Sequence, residues 1–210
     1  MEKLVEYLIK KLVLYKIITE DETTIYKFGM ECLVLKLIHC ISYLCIAVCL
    51  KKLPELIVIG CVLIPLRRNA GGYHAKTKIG CYIFSCFYVL SILLVSKTVI
   101  NQFMWWGSLV LSDGIIFFMS PVDNGNKRLD RKEILYYRKK SRYMLIGANI
   151  SCIVLTAVNL YNIGSLLRWG INAAAFLLVL HLMSEVRNMS YRCKRKRMHL
   201  KRLLLKEVLR

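Results

Sequence analysis

Residues 81–96 (CYIFSCFYVLSILLVS) form a stretch of sixteen residues with no charge, and this run limits the possible folds more than any other feature of the chain. It belongs to a candidate span at 79–96, and further candidate spans occupy 33–50, 53–66, 103–120, 143–161 and 166–184. Most approach the ~20 residues that an α-helix needs to cross a bilayer core. Hydrophobic residues make up 57% of the 210, against roughly 45–50% in an ordinary soluble domain. A single core of that size cannot hide the excess. Composition alone therefore favours spanning helices.

Charge refines the reading. The chain carries 32 Lys and Arg against 13 Asp and Glu, a net charge of +19. Such a balance suits nucleic-acid binding when taken alone, but long uncharged runs argue against it. Basic residues cluster in four places: five in 1–32, four in 67–78, eight in 121–142 and ten in 185–210. Basic loops on the inner face of a polytopic membrane protein account for the charge and the hydrophobicity together. The rule places both termini, 67–78 and 121–142 in the cytoplasm.

The expected fold is all-α, an integral membrane protein with about six transmembrane helices and an N-terminal amphipathic helix. Leu4, Val5, Leu8, Ile9, Leu12 and Tyr15 share one helical face, and Lys3, Glu6, Lys10 and Lys11 share the other. That segment either lies on the inner leaflet or packs against another cytoplasmic segment. Three parts follow: a cytoplasmic segment 1–32, a membrane domain 33–184 and a basic tail 185–210, the last read as anchoring on anionic lipid. The second apolar run is short, so it is tilted, re-entrant or lengthened into 67–70.

Nine cysteines, mostly inside apolar stretches, show no zinc spacing and no paired extracellular framework. Most read as small apolar fillers. Cys81 differs because it stands where a basic loop enters the third span. Unpaired amides at a helix start favour a thiolate, and Arg67, Arg68, Lys76 and Lys78 surround it in sequence. His74 can be neutral near pH 7, as a general base must be. A Cys and a His together are the minimum for acyl-thioester chemistry. The spacing alone leaves a structural reading open, in which the arginines anchor the interface and Gly71-Gly72 turns the chain.

The run Arg67-Arg68-x-Ala70-x-Gly72-x-His74-Ala75, with Cys81 seven residues beyond the histidine, resembles the accessory gene regulator B family. So does the later loop Pro121-Val122-Asp123-Asn124-x-Asn126-Lys127. The likeness extends over essentially the whole chain. It implies a membrane cysteine endopeptidase of Gram-positive quorum sensing, with Cys81 as nucleophile, His74 as base, and Arg67 and Gly72 in support. It implies a small precursor peptide with an acidic C-terminal tail, a thiolactone or lactone product, a homodimer, and no cofactor or metal. No nucleic-acid partner is expected. Asp123 and Lys127 are candidates for touching substrate or fixing their loop.

Asp113 falls inside the fourth apolar run, where a charge is expensive. It is a partner for Arg168 or Lys36, or a functional group. A rival reading makes the protein a transporter or sensor component that uses Asp113 and Arg168. His39 and His181 read as interhelical hydrogen-bonders.

Geometry adds one expectation. A continuous helix from His74 to Cys81 would separate them by about 10.5 Å along its axis, too far for a direct hydrogen bond. A break is therefore expected before Cys81, with Thr77 as N-cap of the third span.

Overall fold

A computed structural model of the chain describes residues 2–73, 75, 77–96, 98, 101–122 and 129–208. Among them run seven helices: α1 (Glu2–Leu14), α2 (Thr23–Cys49), α3 (Leu53–Ala70), α4 (Lys78–Val95), α5 (Gln102–Met119), α6 (Arg131–Ala157) and α7 (Tyr161–Val208). Three stretches are long and apolar enough to cross a membrane: Thr23–Cys49, Lys78–Val95 and Tyr161–Ser190 of α7. Phe103–Met119 is a shorter apolar helix. Large apolar side chains point outward along these helices, with Phe103 85% and Phe118 80% exposed. An apolar exterior of this kind is stable in lipid and a liability in water.

Each apolar run lies largely in one helix, but several boundaries move, and 143–161 outruns α6 to reach the first residue of α7. The short second run is lengthened: α3 continues through Arg67 and Arg68 to Ala70. It does so past Pro65, which lacks an N–H donor. The carbonyl of Pro65 accepts a hydrogen bond from Asn69 Nδ2 at 2.7 Å. Residues 131–142, expected as loop, form the first turns of α6. Their Arg, Lys, Glu and Leu are good helix formers however polar they look. Glu133 accepts the backbone N–H of Asp130 at 3.3 Å, satisfying a donor at the helix start. Helix α7 passes 184 unbroken because neither Gly nor Pro follows Gly170.

The chain divides into two compact units, Met1–Leu53 with Thr77–Ser91, and Pro54–Lys76 with Ile92–Arg210. In the first, α1 buries Val5 and Ile9 with Ile18, and Met30 and Val34 of α2 pack against them. Glu6 on α1 is paired with Lys27 on α2 at 2.9 Å.

In the second unit, α7 is the central element. Leu66 of α3, Ile116 of α5 and Leu145 of α6 pack with Ile171, Ala174 and Leu178 of α7. Gly170 lets α3 approach closely. A Cβ there would stand 3.0 Å from both the Ile59 carbonyl oxygen and Val62 Cβ. Small residues at such crossings are how helices pack when lipid supplies no hydrophobic drive.

Polar ties cross this bundle. Ser112 donates to Asn172 Oδ1 at 2.9 Å, and Asn172 Nδ2 donates to Ser108 at 3.2 Å. Asn149 Nδ2 donates to Asp113 Oδ1 at 3.1 Å. Arg168 is almost fully buried, its guanidinium against the Trp105 ring and Nη2 donating to Cys152 Sγ at 3.4 Å. Asp113 and Arg168 form no ion pair among the described residues. The aspartate's amide partner lies on α6, while Trp105 and Cys152 engage the arginine.

Candidate active site

Two stretches of the candidate site are described, one in each unit. The first begins where α3 ends. Gly71 has φ +85, a left-handed conformation that costs other residues strain. Its N–H still donates to the Arg67 carbonyl at 3.1 Å. A Cβ on Gly71 would lie 2.9 Å from the carbonyl oxygen of Val122, so the two backbones meet at contact distance. Val122 N–H donates to the Ala70 carbonyl at 3.0 Å and holds the post-α5 segment there.

The next two residues are pinned to α7. Tyr73 N–H donates to the Leu177 carbonyl at 3.0 Å, and Arg67 Nη2 donates to the Tyr73 carbonyl at 3.2 Å. Gly72 lies between them. A Cβ there would touch Leu177 Cβ at 3.4 Å and Arg67 Cγ at 3.8 Å. Arg67 and Gly72, both expected as supporting residues, thus meet in one clamp on the backbone that leads to position 74.

The second stretch is the start of α4. Gly80 N–H donates to Thr77 Oγ1 at 3.0 Å, and Cys81 N–H to the Thr77 carbonyl at 2.9 Å. Thr77 is therefore the N-cap, as its hydroxyl and position suggested. Cys81 stands in the opening turns, partly buried and free of a disulfide. Ala75 and Thr77 are not helical, so no single helix joins 74 to 81.

Within the same unit, α4 is tied to α2 on either side of Cys81 in sequence. Lys78 Nζ reaches Glu31 Oε2 at 2.8 Å. Tyr82 shares a hydrogen bond with Ser42 at 2.7 Å, and its ring stands edge-on to His39, 5.2 Å between centroids. The two ties advance in the same sense along both helices, from Glu31 to Ser42 on α2 and from Lys78 to Tyr82 on α4.

His74, Asp123 and Lys127 lie outside the described residues. Asp113 sits on α5, bonded to Asn149 of α6. His39 donates through Nδ1 to the Leu35 carbonyl at 2.7 Å when that nitrogen carries the proton. His181 is buried on α7, one turn beyond Leu177. Among the described residues no three His, Cys, Asp or Glu side chains form a group fit to hold a metal ion. Residues 31 and 177, and the backbone tie made by Val122, escaped sequence reasoning because main-chain groups and a distant glutamate leave no local pattern. Gly71 was the one available signal, since adjacent glycines mark close backbone approach.

Neither the curated proteins nor the solved structures give a significant match to the chain. The family model described as accessory gene regulator B matches residues 1–180, which take in all seven helix starts and both stretches of the candidate site. The chain belongs to the accessory gene regulator B family, a membrane protein whose role lies in accessory gene regulation and the processing of its autoinducing peptide.

Proposed function

We propose that this protein is a membrane cysteine endopeptidase that removes the acidic C-terminal tail of a small precursor peptide and retains the remainder as an acyl-enzyme. Family membership supports the peptide-processing role. The observation that carries the thiol chemistry is the capped start of α4, which places Cys81 just after a non-helical approach from position 74. His74 takes the Cys81 thiol proton, and the thiolate sulfur attacks the scissile carbonyl carbon. The tetrahedral intermediate collapses as the C–N bond breaks, and the proton held on His74 passes to the departing amine. A Cys or Ser side chain within the bound peptide then attacks the thioester carbonyl. It gives up its proton through His74, the carbonyl–Cys81 bond breaks, and the thiolactone or lactone leaves. Ring closure is favoured over hydrolysis by a tethered nucleophile at high effective concentration and by partial exclusion of water.

The topology belongs to the same proposal: six spans from α2 to α7, both termini and the Cys81 end cytoplasmic, and α1 on the inner leaflet. Contacts that advance in the same sense along α2 and α4 agree with a first and a third span separated by one return crossing. The segments 1–32, 33–184 and 185–210 divide the chain accordingly. Anionic lipid and a second copy of the chain are the further partners in this reading. The hydrogen bond from Asn149 to Asp113 supports an interhelical tie over a transport role.

The test is co-expression with a candidate precursor peptide that carries an internal Cys or Ser and an acidic C-terminal tail. Cys81→Ala and His74→Ala should each abolish cleavage with membrane insertion unchanged, and Cys81→Ser should leave little activity. Normal processing by Cys81→Ala ends the peptidase reading, whereas loss on Asp113→Asn with Cys81→Ala active returns the transporter.

A further inference from the structure

We infer that Glu31, acting through Lys78, is a positioning residue for Cys81. The inference rests on the peptidase reading above only for its use, not for its geometry. Cys81 lies three residues after Lys78, and side chains three apart on a helix are neighbours. Lys78 and Tyr82 are four apart and so share a stripe of α4. That stripe is fixed to α2 by the Glu31 ion pair at 2.8 Å and by the Ser42–Tyr82 hydrogen bond at 2.7 Å. Cys81 flanks it. The Glu31 end of the tether is the sheltered one: its side chain is 22% exposed, against 65% for Lys78.

Two consequences follow from one contact. The ion pair fixes where the first turn of α4 stands against α2, and with it the direction from which the Cys81 sulfur meets a carbonyl. It also sets the charge beside that sulfur, because Lys78 is compensated by Glu31 and the thiol sees a pair instead of a lone cation. Glu31 touches no reacting atom; its effect is transmitted through Lys78 and the helix start.

The sequence hides this role. Position 31 is fifty residues from the nucleophile, and its carboxylate sits near the end of α2 that precedes the first apolar run. An acidic residue there reads as a solvated helix start, not as part of a site.

The experiment measures alkylation of Cys81 by a neutral maleimide in the full chain in membranes, with the Cys81-bearing peptide quantified by mass spectrometry. Neither reagent nor readout depends on peptidase activity. Glu31→Gln leaves Lys78 without this counter-charge, so Cys81 should react about threefold faster at pH 7 and low salt. Lys78→Gln should slow it about threefold. Both differences should shrink by half or more at about 0.5 M salt. Lys78→Arg, which keeps the charge and can still meet the carboxylate, should react at the wild-type rate. A merely structural tether would move both neutral variants in the same direction, with no salt dependence. That result, or wild-type rates in both, overturns the proposal. Opposite, salt-sensitive shifts together with reduced precursor cleavage in both neutral variants support it. If the wild-type protein cuts no precursor, the peptidase reading fails while the alkylation result still decides the tether.

Discussion

Tyr73 hangs by its backbone from Leu177: its N–H donates to the carbonyl oxygen of that residue, 3.0 Å away in the middle of α7. Mid-helix carbonyls already serve their own helix, so an additional donor requires the chain to come in close and side-on. Gly71 and Gly72 make that approach possible, and they differ in how much room they leave. Gly71→Ala would combine a left-handed φ with a Cβ 2.9 Å from the backbone oxygen of Val122, which cannot swing away. The cost should be about 3 kcal/mol, read as a lowered Tm of the solubilised protein. Gly72→Ala also carries backbone strain, at φ +158, but meets Leu177 Cβ at 3.4 Å, an ordinary contact, and without a backbone clash should lose less stability than Gly71→Ala. The reverse order would show that the α3–α7 connection is not built on Gly71.

Arg67 closes the same loop from the other side. Its Nη2 donates to the Tyr73 carbonyl at 3.2 Å, and its stem lies along Gly72. Arg67→Lys keeps the positive charge that favours the inner membrane face but loses the planar fork. Insertion and topology should therefore be unchanged, while precursor turnover falls about tenfold, chiefly in kcat. One lost hydrogen bond to an ionised donor is worth about that factor. A variant with normal kcat would leave Arg67 as an interface anchor alone.

The sequence foretold some of this geometry and missed the rest, for separable reasons. Apolar runs placed the helices because lipid demands uninterrupted backbone pairing, and that demand leaves a mark on every residue of a span. Thr77 was legible as a cap because its chemistry is local: a hydroxyl three residues before the N–H it accepts. The Arg–Gly–His–Cys segment stood out through its resemblance to a family, and of its four named residues Arg67, Gly72 and Cys81 are described. The start of α6 was not legible, because residues 131–142 carry charges that hydropathy reads as loop. Nor were the roles of Val122 and Leu177, which come through a main-chain N–H and a main-chain carbonyl that almost any residue could supply. Asp113 was foreseen as an interhelical partner, but an asparagine on α6 proved to be its hydrogen-bonding neighbour.

The corner between α1 and α2 should respond to acid. Glu6 has its carboxyl held below the usual glutamate range by a hydrogen bond from Lys27, with the charge of that lysine adding to it. Glu22 is held down likewise, first by the Thr19 backbone N–H and then by the Thr19 hydroxyl. A depressed carboxylate pKa contributes stability above the ordinary glutamate value, and that contribution is lost as pH falls through the folded value. The docking of α1 should therefore be constant from neutrality down to the ordinary glutamate range and loosen below it. Distances between spin labels on α1 and α2 would show the change. Glu6→Gln should be looser at pH 7 and flatter with pH. An acid response that persists unaltered in Glu6→Gln would assign it to other groups.

Crossing of α3 and α7 at Gly170 supplies the last test, because here packing and membrane context make the same demand. An added Cβ would stand 3.0 Å from the Ile59 carbonyl oxygen and 3.0 Å from Val62 Cβ, with Val62 Cγ1 at 3.3 Å. Two of those neighbours belong to a β-branched residue on a helix, whose rotamer has little freedom to yield. The third is backbone. Gly170→Ala gains helix propensity of about 1 kcal/mol, which would make it neutral or stabilising on a helix surface. At this crossing the steric term should win, because tight helix packing in lipid depends on close approach and the helices must instead separate. We expect a net loss of about 1–2 kcal/mol for Ala and more for Leu, with no change in insertion. The separation should reach the clamp as well, since Leu177 follows Gly170 by two turns of α7 and carries Tyr73. Precursor turnover should then fall in Gly170→Leu although the residue is remote from Cys81 in sequence. Pairing the substitution with Val62→Ala, which removes the Cγ1 methyl at 3.3 Å and leaves the less bulky Cβ and the Ile59 carbonyl, should restore a part of both stability and turnover. Thermal denaturation of the purified variants together with a cleavage assay provides the check, and additive losses in the double variant would contradict the contact.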